Sequence, residues 1–79
     1  MNTMLSDQIR RIAADVFDER MERITLHSSP QTTQAWDSLA HLNLILALEE
    51  HFHIELTPED SEQMTSIEAI VTLLDRRIN

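Results

Sequence analysis

Not one of the chain's 79 residues is glycine. A helix that usually ends on a glycine in the left-handed region must then end on Asn, Asp or His, or leave its last carbonyls to water. Phosphate loops and dinucleotide fingerprints built on glycine are excluded, as is a calcium loop, which needs a central glycine for its turn. Cysteine is absent too, so neither a disulfide nor a thiolate metal site can hold the fold. What remains is a chain stabilised by helices packed on their apolar faces.

The length suits one small domain spanning residues 1–79, too small for a deep catalytic cleft. Apolar residues make up 42%, which fits a globular core and not a disordered acidic tail. Met1 to Ser6 has neither the basic leader nor the apolar stretch of a signal peptide. No apolar run reaches membrane-spanning length. A cytoplasmic monomer is the expectation.

Apolar spacing predicts the elements. Leu5, Ile9, Ile12, Ala13, Val16 and Phe17 recur at intervals of three and four, predicting a helix from about Met4 to Arg20. Thr3 or Ser6 can cap it, and Asp7 suits the positive end of its dipole. A long connection follows, roughly Glu22 to Asp37, broken by Ser28-Ser29-Pro30. Within it Ile24 and Leu26 are expected in the core, and Trp36 is placed to act as a lid on it. The second helix, about Ser38 to His51, carries Leu39, Leu42, Leu44, Ile45, Leu46 and Leu48, apolar nearly all round. Such a helix sits centrally or offers apolar side chains to a partner. Thr57-Pro58-Glu59-Asp60 reads as the start of a short helix that ends before Met64. A last helix starts at Thr65 or Ser66, where Thr65 and Glu68 match a capping box. It continues through Ile67, Ile70, Val71, Leu74 and Ile78, with Arg76 and Arg77 at its negative end. The fold class is all-α: a small four-helix bundle of three main helices and one short one.

Net charge is −8 and unevenly spread. All six basic residues are arginines, and none lies between Ile24 and Asp75, where nine acids stand. This surface repels nucleic acid and anionic membranes and attracts proteins with basic patches. An acidic face that serves only solubility is the alternative.

Ser38 opens the second helix directly after the long loop. Free backbone N–H groups and the positive end of the dipole there stabilise a phosphodiester on its hydroxyl, and the junction exposes it to a modifying enzyme. An ordinary N-cap serine fits the tripeptide Asp37-Ser38-Leu39 equally well. The wider pattern goes further. Asp37-Ser38-Leu39, then Leu42, Leu44-Ile45, Ala47-Leu48-Glu49-Glu50 and Phe52, resembles the second helix of the acyl carrier protein family and its exit. Ile54, Leu56, Glu59 and Asp60 resemble the family's short third helix and its approach, and Met64-Thr65-Ser66-Ile67 the start of the fourth.

The resemblance implies a free-standing, non-catalytic carrier. Ser38 would accept 4′-phosphopantetheine from coenzyme A through a phosphopantetheinyl transferase. Asp37 matches the acid that assists that enzyme through its Mg²⁺, and acyl groups would ride as thioesters on the arm's thiol. Leu39, Leu42 and Leu46 would form the strip that acyl-activating or acyl-transferring enzymes read. Glu49, Glu50, Glu59, Asp60 and Glu62 would steer their basic docking patches. Leu44, Leu48, Met64, Ile67, Ile70 and Leu74 form either plain core or a core that also shelters a short acyl chain.

This sequence departs from the family at Ala35-Trp36 before the serine, and at Ala40, His41 and Asn43 after it, where acids or small residues are usual. These departures point to a dedicated carrier in specialised chemistry of polyketide, nonribosomal or modified-sugar type. A peptidyl or aminoacyl carrier is the alternative within the fold, and a helical adaptor without prosthetic group the alternative outside it. His27, His41, His51 and His53 do not share the spacing of a zinc site, and no nucleophile triad can be assembled.

Overall fold

The computed structural model describes residues 3–78. Met1, Asn2 and Asn79 lie outside them, and with them part of the segment read above for a leader. Helices α1 (Thr3–Phe17), α2 (Ser38–Phe52), α3 (Pro58–Gln63) and α4 (Ile67–Ile78) make up the expected bundle, with a 3₁₀ turn at Met21–Arg23 in the long connection. Helix α1 packs against both α2 and α4, and α3 against α4. Ile9, Ala13, Leu44, Leu48, Ile67, Ile70, Val71 and Leu74 are wholly removed from solvent between them.

Two non-glycine residues take the left-handed conformation, Asp18 (φ 52°) and His53 (φ 56°), and each stops a helix. Asp18 ends α1 three residues before the expected Arg20. Past it, Glu19 N–H reaches back to the Ala14 carbonyl (2.9 Å) and Asp18 N–H to Asp15 (3.3 Å), the bond pattern of a Schellman motif with aspartate where glycine is usual. At the end of α2, His53 N–H donates to the Glu49 carbonyl, and Ile54 N–H reaches the same oxygen at 3.2 Å. Asp and His tolerate this region better than most side chains. Ser6, considered as a cap, lies inside α1 and is buried.

The long connection is tied to the bundle along its length. Ile24 is fully buried and Leu26 packs against the core, as expected. Arg10 of α1 donates to the carbonyls of Ile24 and Met21. The connection in turn caps α4. The Ile67 and Glu68 N–H groups, which have no partner within their own helix, donate to the carbonyls of Ser28 and Leu26, each at 3.0 Å. Ser66 Oγ takes the Ala69 N–H at 3.0 Å. The expected Thr65–Glu68 capping box does not form, because Ser66 holds the cap position and loop carbonyls have taken the remaining donors.

A capping box does form at α3. Thr57 Oγ1 accepts from Asp60 N–H (3.1 Å), and the Asp60 carboxylate accepts from Thr57 N–H (2.9 Å). Asp60 also pairs with Arg77 of α4, whose guanidinium donates to the Glu55 carbonyl as well. The Thr57 N–H chiefly holds the Asp60 carboxyl below its ordinary value. Burial pushes it up, and the Thr57 hydroxyl and the Arg77 guanidinium bring it down again. Because the folded value lies below the unfolded one, about 3.9, the stabilisation is complete above about pH 4 and is lost as pH falls through the folded value. Denaturant unfolding should therefore show Asp60→Asn less stable than the parent at pH 7, with the gap shrinking below about pH 4. A gap that stays constant into acid would refute the assignment.

Candidate functional site at the start of helix α2

Asp37, not Ser38, is the N-cap of α2. Its Oδ1 accepts the Ala40 N–H at 2.9 Å, and its carbonyl accepts the His41 N–H at 2.9 Å. Ser38 is thereby displaced to the first helical position, exposed to solvent. Its hydroxyl makes no hydrogen bond among the described residues. The capping work that the Asp-Ser pair left ambiguous falls to the carboxylate, and the serine is left over. The N–H groups of the first turn point at the same region, as they do at any helix start.

Beside Ser38 lies an open cleft of about 540 Å³ between the end of the long connection, the first turns of α2 and the segment from α3 to Thr65. Trp36, Leu42 and Met64 give it apolar wall, and Gln31, Ser61 and Thr65 polar wall. Trp36, expected as a lid, is 2% exposed and packs on Phe17 with ring centroids 5.2 Å apart. Its indole N–H donates to His41 Nδ1 at 3.0 Å, and His41 Nε2 lies 3.1 Å from Ser61 Oγ and 3.2 Å from the Ser61 carbonyl. In the sequence His41 stood out as a departure from an acidic position and as one of four histidines without zinc-site spacing, not as a partner of Trp36. Its spacing five residues after Trp36, with both residues at the helix start, was the available signal.

The apolar all-round character of α2 resolves into two faces. Leu44, Ile45 and Leu48 are buried, whereas Leu39 (68%), Leu42 (58%) and Leu46 (62%) remain exposed. Their i, i+3, i+7 spacing puts them in one strip that begins next to Ser38. The acids expected to accompany the strip do not form one patch. Asp60 is 5% exposed and holds α3 to α4, so it cannot belong to a docking surface. Glu49 is half-buried, and its Oε2 accepts the Leu56 N–H at 2.8 Å, bracing the α2–α3 connection. Glu50 is exposed beside a separate shallow cleft against α1, lined by Ile12 and Val16. Glu59 and Glu62 are exposed on α3, and Glu62 borders the cleft beside Ser38. Among the described residues no three His, Asp or Glu are grouped to hold a metal, and no helix is long and apolar enough to cross a membrane.

A 4′-phosphopantetheine arm fits this place. A phosphodiester on Ser38 would meet free helix N–H groups, and a chain of amides and methylenes finds both polar and apolar wall in the adjoining cleft. When bound, the arm supplies a terminal thiol that this cysteine-free chain lacks.

Comparison with known proteins agrees. The family model described as "Phosphopantetheine attachment site" matches residues 7–74. An acyl carrier protein of Buchnera aphidicola subsp. Baizongia pistaciae is 31% identical over 74 residues, covering 94% of this chain and 95% of its own. One from the subspecies Schizaphis graminum is 27% identical over 70 residues, 89% of each chain. The solution structure of a holo acyl carrier protein from Geobacter metallireducens superposes with a TM-score of 0.83 at 30% identity, over 92% of this chain and 84% of that one. With a matching family model, a matching fold and a site that accommodates the prosthetic group, the chain belongs to the acyl carrier protein family: a non-catalytic, phosphopantetheine-bearing carrier that works with a phosphopantetheinyl transferase and acyl-handling enzymes.

Proposed function

We infer that Ser38 is the residue that carries the 4′-phosphopantetheine arm, and that residues 1–79 act as one monomeric carrier domain presenting acyl thioesters to successive enzymes. The observation that carries this reading is the division of roles at the start of α2. Asp37 makes the cap, and Ser38 stands exposed, its hydroxyl unbonded among the described residues, beside a cleft suited to the arm. Tethering raises the local concentration of cargo at each partner without any catalysis by the carrier.

Asp37 has a second use. Only one of its carboxylate oxygens has a bond among the described residues, so the other is available to a transferase-bound Mg²⁺. Leu39, Leu42 and Leu46 supply the apolar strip for partners, with Glu59 and Glu62 on α3 to steer basic surfaces towards it. The specialised pathway is supported by Trp36 and His41, which depart from the family and are bonded to each other in the site. The relatives above are named acyl carrier proteins with no pathway in their names.

Incubation with coenzyme A and a transferase should raise the intact mass by one phosphopantetheine, and Ser38→Ala should abolish the rise. A rise that survives Ser38→Ala would place the arm elsewhere. The two uses of Asp37 separate by substitution. Asp37→Asn keeps a capping oxygen, so its melting temperature should hold while modification slows about tenfold or more. Asp37→Ala should lose about 1 kcal/mol of stability in addition. Equal modification rates in the parent and Asp37→Asn would remove the metal role.

Leu42→Ala should change stability by less than about 0.5 kcal/mol, because the side chain is exposed. It should weaken binding to the transferase about tenfold. Unchanged affinity by titration calorimetry would take Leu42 out of the docking strip.

A further inference from the structure

Between the cleft beside Ser38 and the core stand Trp36, His41 and Met64. They come from three different segments, the end of the long connection, the first turn of α2 and the residue after α3. The first two are joined by a chain of hydrogen bonds that fixes their chemistry. An indole N–H can only donate, so His41 Nδ1, which receives it at 3.0 Å, carries no proton. The imidazole proton is then on Nε2, which donates to the oxygens of Ser61 at 3.1 and 3.2 Å. The bridge therefore runs from the loop through α2 to α3 with one consistent direction of donation. The indole lies on Phe17 of α1, in the same buried cluster as Leu44, Leu48, Ile70 and Leu74, which are fully buried.

A cargo that entered the core from the cleft past Trp36 and His41 would have to part them. The indole N–H, buried with its residue, would lose its acceptor, and a buried donor without a partner is costly. It would also have to open space among side chains that leave no exposed surface. The cleft outside asks for neither. Its lining combines polar groups (Gln31, Ser61, Thr65 and Glu62) with Leu42 and Met64.

We propose that the Trp36–His41–Ser61 bridge bars the acyl end of the arm from the core and keeps it in the surface cleft. Trp36 and His41 are thereby specificity-determining residues, selecting short acyl groups bearing oxygen or nitrogen substituents over long hydrocarbon chains. This rests on Ser38 carrying the arm, and it decides the open question of the core in favour of plain packing.

The test loads Ser38 with the arm alone, with a butyryl arm or with an octanoyl arm from the corresponding coenzyme A thioesters. Intact mass confirms one addition in each case. Trp36 is the only tryptophan, so a single indole N–H resonance reports the bridge, and the methyl resonances of Leu48, Ile70 and Leu74 report the core. In the parent protein the core methyls should not shift between the arm alone and either acyl form, while Gln31, Thr65 and the cleft-lining Trp36 indole should shift. In His41→Ala, and in Trp36→Phe, which keeps the aromatic packing on Phe17, the octanoyl group should move the core methyls. His41→Gln, which restores an acceptor for the indole, should not allow this. Should His41→Ala fail to fold, Trp36→Phe carries the same reading.

Core methyls that shift with chain length in the parent overturn the proposal. Silence in the parent and in both opening variants also overturns it, since the closure would then lie in packing and not in the bridge. A missing mass addition is a different failure. It removes the carrier reading of Ser38, while the indole shift on His41→Ala in the unmodified chain still shows whether the bridge exists.

Discussion

The Asp37 carboxylate holds the Ala40 N–H at 2.9 Å, and the site depends on that bond being made by Asp37. A helix start demands an acceptor for its free N–H groups. If Ser38 supplied it, the hydroxyl would be engaged and turned towards the backbone. Because the residue before it has the longer, charged acceptor, Ser38 moves one place into the helix and its hydroxyl faces outward. The same helix start leaves its remaining N–H groups and its dipole for an anion, as the proposed attachment at Ser38 requires.

The rest of the fold presents this junction. The long connection is held by Ile24 in the core, by Arg10 on its carbonyls and by its own carbonyls on the first N–H groups of α4. Its far end is pinned by Trp36 against Phe17 and His41. Ser38 therefore sits at the end of a braced segment and not of a loose one. Helix α3, only six residues long, could not hold its place on propensity. The Thr57–Asp60 box and the Arg77 pair hold it, and so fix the far wall of the cleft.

Much of this was legible from residue types alone. The three apolar stripes, the Thr57-Pro58 start and the burial of Ile24 follow from periodicity and capping chemistry, which act over a few residues. Without glycine, Asp and His were among the few residues able to end helices, and Asp18 and His53 do so. The acidic docking face was less legible. Asp60 and Glu49 look like surface charge in the sequence, yet both are engaged by backbone N–H groups a few residues away. Asp60 is also paired with Arg77, seventeen residues on. Nothing in composition distinguishes a carboxylate that faces solvent from one that holds two helices together.

The sequence by itself determined an all-helical bundle, a serine at a helix start after a long loop, and a second helix with more apolar surface than one core needs. These properties follow from spacing along one segment, because helix periodicity and capping are local. Only the tertiary structure decided which apolar face of α2 stays exposed, which acids are exposed, and that Trp36, His41 and Ser61 meet across three segments beside the cleft. Those outcomes depend on contacts between residues distant in the chain, such as His41 and Ser61, twenty positions apart, and α1 with α2, which no local pattern encodes.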